Sequence, residues 1–396
     1  MHKTFPPLLP DERFTIAIIG TGPAGMLAAL SLANLQKEII LIGPEIVKDD
    51  YRTTALMMPS IKMLEDLGVW EEIKQKTAPL KRMCIIDATA RLVRSPTVNF
   101  SAQEIEEEAF GYNIPNKILN EALNDKIIKN PYITLYRNKV IHYEQVEDEM
   151  NLKLDNNDII SAHLTIAADG KYSLAREAAG IAIEKWDYPQ TALVLTFSHQ
   201  KPHLCVSTEL HTEEGPFTQV PLPGNNSSLV WVLNRQKAKE LSQKNIEDLA
   251  QEIEKKMQSL LGAITITSPL QLWDLSGAKP DCYAKNNVVL IGEAAHVFPP
   301  IGAQGLNLTV RDITTLKHII EQYKNAPLHD KRFDILKKYN ELRKGDIWLR
   351  IKSVNTLNKA LLSESLSYQI LRSFGLSLLN KFSFLRRIFM SEGMKK

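Results

Sequence analysis

The stretch "FTIAIIGTGPAGMLAALSLANLQKEIILIG", residues 14–43, decides the fold. Its Ile-rich opening, residues 14–20, reads as a short buried strand. Gly20, Gly22 and Gly25 follow at once, with Pro23 and Ala24 between them, and the Ala- and Leu-rich residues beyond favour a helix. Residues 38–43 make a second buried strand, so the whole is a βαβ unit whose crossover length suits a parallel sheet. In this G-x-G-x-x-G the first glycine permits a tight turn and the second lets a pyrophosphate approach the backbone. The third lets the helix pack on the strand. The amides and positive dipole end of the helix then hold the phosphates. The usual acidic partner at the end of the second strand is missing: Gly43 stands there, with Glu45 two residues later.

The rest of the chain bounds what this unit can serve. The 396 residues suit two closely packed domains or one large α/β unit, and 44% apolar with 24% charged content is ordinary for a globular protein. A net charge of +2 and no nucleic-acid motif argue against DNA or RNA as a partner. Cys84, Cys205 and Cys282 lie far apart, so neither a zinc site nor a disulfide framework is expected, and a cytoplasmic location follows most simply. The N-terminus has no signal-peptide pattern, and no run of about 18 uncharged apolar residues reads as a membrane span. Residues 58–75 and 115–129 look helical, and residues 133–158 alternate as antiparallel strands with a turn at Asp155–Asp158. Residues 164–170 return to buried-strand character. Residues 190–235 alternate as a separate antiparallel sheet, 236–262 read as one amphipathic helix, and the C-terminal part is mostly helical.

A second bare loop, "IGEAAHVFPPIGAQGLNL" at 291–308, follows another buried strand and carries Glu293 at its start. One dinucleotide motif and a substrate domain would not need it. A ligand long enough to touch both loops would, and FAD is such a ligand. A strand-end carboxylate accepts hydrogen bonds from ribityl hydroxyls, while Gly302 and Gly305 let backbone amides approach the flavin edge.

"IGTGPAG", "AADGKYSLAREAAGI" and this last loop resemble, in order and spacing, the three fingerprints of the flavin-dependent aromatic hydroxylases of the para-hydroxybenzoate hydroxylase type. "YRTTALMMPSIKMLEDLGVWEEI", "AFGYNIPNKIL" and "GPFTQVPLPGNNSSLVWVL" resemble more narrowly the ubiquinone-biosynthesis hydroxylase family. The resemblance implies an α/β protein: a Rossmann-like FAD-binding domain of the glutathione-reductase type, an inserted antiparallel β-sheet substrate domain and a helical C-terminal tail. Residues 1–75, 114–182 and 276–325 would form the first, 76–113 and 183–275 the second, and 326–396 the third. It further implies that Gly20, Gly22 and Gly25 hold the ADP part, and that Arg52 and Asn116 contact the flavin side. Asp169 and Gly170 would serve the pyrophosphate, with Glu293, in place of the family's Asp, at the ribityl chain. Pro299, Gly305, Leu306 and Asn307 would line the isoalloxazine, and Tyr112, Phe217 and Pro221 the substrate pocket. Plainer readings stand beside these: Asp169 as a helix cap, His296 as a loop residue, Tyr112 and Phe217 as core aromatics.

The implied reaction is hydroxylation of a polyprenylated phenol by dioxygen through a flavin hydroperoxide, with electrons from NAD(P)H or a reductase protein. Other ubiquinone-biosynthesis proteins would be partners. A monooxygenase for a small soluble phenol and a catalytically silent FAD-binding subunit remain as alternatives; a halogenase does not fit, because the residues around Trp231 lack the expected Trp-x-Trp-x-Ile-Pro. In the tail, Leu371, Phe374, Leu378, Phe382, Leu385 and Phe389 recur at helical spacing among Arg372, Lys381, Arg386, Arg387, Lys395 and Lys396. Gly375 and Ser383 are expected to break this stripe into two short helices. Such a surface suits peripheral contact with an anionic membrane.

Overall fold

The expected βαβ unit is formed by Arg13–Ile19, Pro23–Ala33 and Ile39–Ile42 in a computed structural model that describes residues 13–46, 50–91, 93–300, 302–324, 326–362 and 366–394. Ile16 lies beside Ile39 and Ile18 beside Leu41 in parallel register. All four are fully buried. A strand covered by helices on both faces has no polar side to present, hence the unbroken apolar runs. Ile159–Ala167 and Val288–Leu290 extend the sheet on one side, and Ile133–Tyr136 closes the other, all parallel. Ile133–Tyr136 corrects the expectation of antiparallel pairing. It follows the helix Asn116–Lys129, and a helical crossover returns the chain parallel to its neighbour. The antiparallel pairing in this region belongs to Val140–Val146 and Glu149–Leu154, which build outward from Ile159–Ala167.

The second sheet contains Ile183–His199, Val206–His211, Pro216–Leu222 and Asn226–Asn234, joined by Arg82–Asp87 and Val98–Ser101 from earlier in the chain. Gln271–Pro280 pairs along Ile183–His199 and leads back to the first sheet. One face, with Leu193, Leu195, Phe197, Phe217, Leu229 and Trp231, is packed under helices. Those are Arg235–Ser242 and Ile246–Lys256, two helices where one was expected over 236–262. The break comes from Asn245, whose side chain caps the second helix by accepting from the Asp248 amide at 2.7 Å.

The C-terminal region is helical as expected: Leu328–Leu362, Leu366–Lys381 and Ser383–Gly393. Gly375 does not break the stripe, since it lies inside the second of these helices; the break is at Phe382. A glycine within a helix costs only about 1 kcal/mol, and here its neighbours Leu376 and Leu379 pack on Phe100 and Met83. Lys395 and Lys396 lie outside the described residues.

Asp312 ties the second bare loop to the long helix Leu328–Leu362. It stands fully buried on the helix Gln304–Gln322. Its Oδ2 accepts from the Gly292 amide at 3.1 Å and from His296 Nε2 at 2.8 Å. Its Oδ1 accepts from Arg343 Nε at 2.8 Å and forms an ion pair with the same guanidinium, 2.7 Å from Nη2. Burial alone would lower the Arg343 guanidinium pKa, but the charges of Asp312 and its neighbours outweigh this and raise it. Removing one partner of such a pair leaves a bare buried charge, so Asp312→Ala is expected to lower stability by about 3–5 kcal/mol in urea unfolding. Arg343→Met added to it should recover part of that loss; a larger loss in the double variant would contradict the pairing.

Candidate functional site

The first glycine loop is shaped by contact at two of its positions and by space at the third. Gly20 has φ +116°, and a Cβ on it would meet the Ala168 carbonyl oxygen at 2.2 Å. A Cβ on Gly25 would meet the Gly20 carbonyl oxygen at 1.8 Å. These two glycines therefore let Pro23–Ala33 press onto the ends of Arg13–Ile19 and Ile159–Ala167. Gly22, the residue just before that helix, has nothing within 4 Å of where its Cβ would be. Open space at the amino end of a helix is a cradle for an anion.

The second bare loop is held against the first. The Cβ position of Gly292 lies 3.4 Å from Ala24 Cβ, so the residues before Glu293 touch the helix start. Arg176 joins the fingerprint that contains Asp169 to the second bare loop. Fully buried, it donates from Nη1 to the Ala294 carbonyl at 3.0 Å and from Nη2 to the Lys171 carbonyl at 3.1 Å. Asp169 lies just before, with Oδ2 accepting from the Ala175 amide at 3.2 Å. Burial pushes its carboxyl pKa up against hydrogen bonds from Ser173 and Ala175. Its Oδ1 is buried without a hydrogen-bond partner, an acceptor left for a donor. Asp169 thus helps order Leu174–Ala178, while the side-chain cap itself is Ser173.

On the flavin side, Arg52 forks onto Asp50, with Nε to Oδ1 at 2.8 Å and Nη2 to Oδ2 at 2.7 Å. Asn116 donates to the same carboxylate at 3.1 Å and accepts from Thr54 Oγ1 at 2.6 Å. Burial alone would raise the Asp50 pKa, but the bonds from Arg52 and Asn116 outweigh it and hold it below the ordinary value. The Asp50 bond raises the Arg52 pKa, with a smaller push in the same direction from the Glu293 charge. The guanidinium lies 5.1 Å from the centre of the exposed Trp273 ring, whose electron-rich face attracts the cation. The structure thus brings Arg52 and Asn116 together on the Asp50 carboxylate.

Asn307 is used differently from a ring contact. Its Oδ1 accepts from the Met57 amide at 2.9 Å and Ser60 Oγ at 2.7 Å, and its Nδ2 donates to the carbonyls of Ala55 and Ala303. It staples the start of Gln304–Gln322 to Thr53–Met57. Leu306 packs partly buried on the core, Pro299 is buried, and Gly302 and Gly305 have no close neighbour to a Cβ beyond the flexible end of Gln304.

The three residues assigned to the substrate pocket are not brought together. Tyr112 packs edge-on to Trp70 at 4.7 Å, inside the first core. Phe217 packs edge-on to Trp231 at 5.1 Å, beneath the helices of the second sheet. Pro221 is buried, and only its carbonyl is used, accepting from Asn113 Nδ2 at 2.9 Å. The opposite face of that sheet meets the flavin side, because Ser228 on it accepts from Thr53 Oγ1 at 3.0 Å. That face carries Val194, Thr218, Val220 and Val230, all partly exposed. Beside them Glu209 accepts from Thr218 Oγ1 at 3.2 Å and bonds His211 at 2.8 Å.

The residues fit FAD: Gly22 and Gly305 open onto space, the buried Asp169 Oδ1 lacks a hydrogen-bond partner, and the second loop carries an exposed carboxylate in Glu293. Residues 13–346 match the FAD binding domain family. The uncharacterized protein slr1300 of Synechocystis sp. is 30% identical over 382 residues, covering 93% of this chain and 90% of the relative. The 3-demethoxyubiquinol 3-hydroxylase of Escherichia coli is 27% identical, covering 94% of this chain and 96% of its own. Ubiquinone hydroxylase UbiL of Rhodospirillum rubrum is 26% identical, covering 97% and 90%. The crystal structure of p-nitrophenol 4-monooxygenase PnpA from Pseudomonas putida has the same fold, with a TM-score of 0.78 at 15% identity over 96% of this chain and 98% of that one. With the match spanning most of its length, this chain belongs to the FAD binding domain family.

Proposed function

We propose that this protein is an FAD-dependent monooxygenase that hydroxylates the aromatic ring of a polyprenylated phenol in ubiquinone biosynthesis. The observation that carries the reading is the joined pair of glycine loops, beside a sheet face on which Val194, Val220 and Val230 stand with Thr218, Ser228 and Glu209. The relatives named as ubiquinone hydroxylases, aligned over nearly the whole chain, support the substrate class. Gly22 and the helix behind it would hold the pyrophosphate, Glu293 the ribityl hydroxyls, and Arg52 the flavin side. FAD, when bound, supplies the activation of dioxygen and the delivery of one of its atoms. The chain's part is to place the ring and keep water away. Val194, Val220 and Val230 offer apolar contact, and Glu209, fixed by Thr218 and His211, offers a hydrogen-bond acceptor for a phenolic hydroxyl. Electrons come from NAD(P)H in this reading.

The tail completes it. Leu376, Leu379, Met390 and Met394 pack on the substrate sheet with Met83, Ile85 and Phe100. Phe374, Phe382, Phe384, Leu385, Ile388 and Phe389 are exposed, alongside Lys381 and Arg387. Arg386 is instead tied to Glu104 at 2.7 Å. Among the described residues no helix is long and apolar enough to cross a membrane. An exposed aromatic face with flanking cations suits shallow, salt-sensitive binding to anionic lipid, where a polyprenyl chain resides.

Three outcomes follow. Purified protein is expected to be yellow, and Gly22→Val, folded by circular dichroism, to lose FAD because its side chain fills the cradle; a variant that keeps its flavin contradicts this placement. Supplied with a prenylated phenol, labelled dioxygen and NADH or NADPH, the enzyme should incorporate one labelled oxygen atom into the ring. Flavin that neither nucleotide bleaches would assign the electrons to a reductase protein. In liposome flotation with anionic lipid, full-length protein should float at low salt and a folded truncation lacking residues 377–396 should not. Equal flotation of both, or of neither, removes the lipid-facing role.

A further inference from the structure

A cavity of about 450 Å³ lies on the helix-covered side of the second sheet. Its volume falls within the roughly 300–1,000 Å³ typical of small-molecule sites. Phe217, Leu210 and Met257 give it apolar walls, each more than nine-tenths buried. Thr208 and Gln219 line it from the same strands, 6% and 1% exposed. Side chains alternate along a strand, so these residues face away from Glu209, Thr218 and Val220 on the flavin-side face. Gln219 donates from Nε2 to Ser227 Oγ at 2.8 Å, but among the described residues nothing donates to its Oε1. Thr208 Oγ1 likewise has no hydrogen-bond partner among the described residues. An acceptor and a hydroxyl on buried side chains are costly to leave unmatched, so the floor of this cavity is ready for a polar group.

The rim is cationic. Arg94 is exposed and Lys256 partly so, both line the cavity, and among the described residues neither has an ion-pair partner. The carboxylates beside them are committed to the loop that follows Arg82–Asp87. Asp87 accepts from the Thr89 amide at 3.1 Å, Thr89 Oγ1 at 2.7 Å and the Ser95 amide at 2.8 Å. Glu213 accepts from the Ala90 amide at 2.5 Å. An occupant therefore meets positive charge at the rim, an apolar middle and hydrogen-bonding groups at the floor. A guanidinium and an ammonium suit a carboxylate, and a phenylalanine ring and a thioether suit an aromatic ring. We propose that this cavity is a second ligand site for a hydroxylated aromatic carboxylic acid. Its carboxylate lies at Arg94 and Lys256, its ring between Phe217 and Met257, and its hydroxyl at Gln219 and Thr208. The inference rests on this cavity and not on the reading of the flavin side.

Calorimetric titration of the full-length protein tests it with three probes: 4-hydroxyphenylacetate, phenylacetate, which lacks the hydroxyl, and 4-hydroxyphenylacetamide, which lacks the charge. The first should bind tightest, with each deletion weakening binding about tenfold, the loss of one hydrogen bond or one charge contact. Arg94→Gln, at an exposed position, is expected to weaken both acids about tenfold and to leave the amide unchanged. Gln219→Leu, folded by circular dichroism, should weaken the two hydroxylated probes and leave phenylacetate unchanged. Val220→Trp, on the opposite face of the sheet, should alter none of the three. Failure of wild-type protein to bind 4-hydroxyphenylacetate, equal affinity for the acid and its amide, or wild-type binding by Arg94→Gln would each overturn the assignment. Binding abolished by Val220→Trp would place the probe on the flavin side and overturn it as well.

Discussion

The buried carboxylate of Asp312 is the constraint on which the site depends. An isolated charge in the interior costs several kcal/mol, and this one is offset by three hydrogen bonds and the Arg343 ion pair converging on two oxygens. The donors come from two elements. The Gly292 amide and the His296 ring set the course of the second glycine loop, and Arg343 anchors the long helix Leu328–Leu362. Tyr339 on that helix donates to the Leu290 carbonyl at 2.9 Å, at the end of the strand that feeds the loop. The loop therefore does not rely on its own weak propensities. It is stretched between a helix start and a buried ion pair, and Gly292 at φ +62° accommodates the turn that results.

Arg176 extends the same logic across the sheet. It spends a buried guanidinium on two backbone carbonyls, one from each of two loops that are far apart in sequence. Burial lowers its pKa and the Asp169 charge works the other way. The three fingerprints are thus mechanically one object: Gly25 pressed on Gly20, Gly20 on Ala168, and Arg176 from there to Ala294. A cofactor that bridges the loops meets an arrangement assembled before it arrives, which limits the ordering cost of binding.

Much of this was legible from local signals. The apolar runs at 14–20, 38–43 and 286–291 announce strands buried on both faces, and the glycines announce close backbone approach. The partners of Arg176 and Asp312 were not legible, since a lone Arg or Asp in a helix carries no mark of the loop it will meet. Asp50 had a faint local signal, standing two residues before Arg52, but its bond to Asn116 spans 66 residues. Phe217 shows a different limit. Alternation along Pro216–Leu222 separates Phe217 and Gln219 from Thr218 and Val220, yet parity alone cannot say which set faces the flavin. That is decided by Ser228 and Asn113 at the docking seam between the sheets.

The same seam accounts for the position of the tail. With the helix-covered face of the second sheet occupied, its remaining face must be closed at the edge formed by Arg82–Asp87 and Val98–Ser101. Met83, Ile85 and Phe100 present apolar surface there, and Met57 from the flavin side packs into the same cluster. Leu376 and Leu379 cover it, and Arg386 secures the final helix through Glu104. One side of the tail is thereby committed to the wall of the substrate sheet, and its aromatic residues are turned outward by geometry. A helix amphipathic toward a protein core would hide those rings; this one exposes Phe374, Phe384 and Phe389 by 60%, 70% and 60%. Exposed rings of this size are costly in water, so the surface that carries them needs an apolar neighbour. In the proposed reading that neighbour is the lipid from which a prenylated phenol reaches the sheet face beneath.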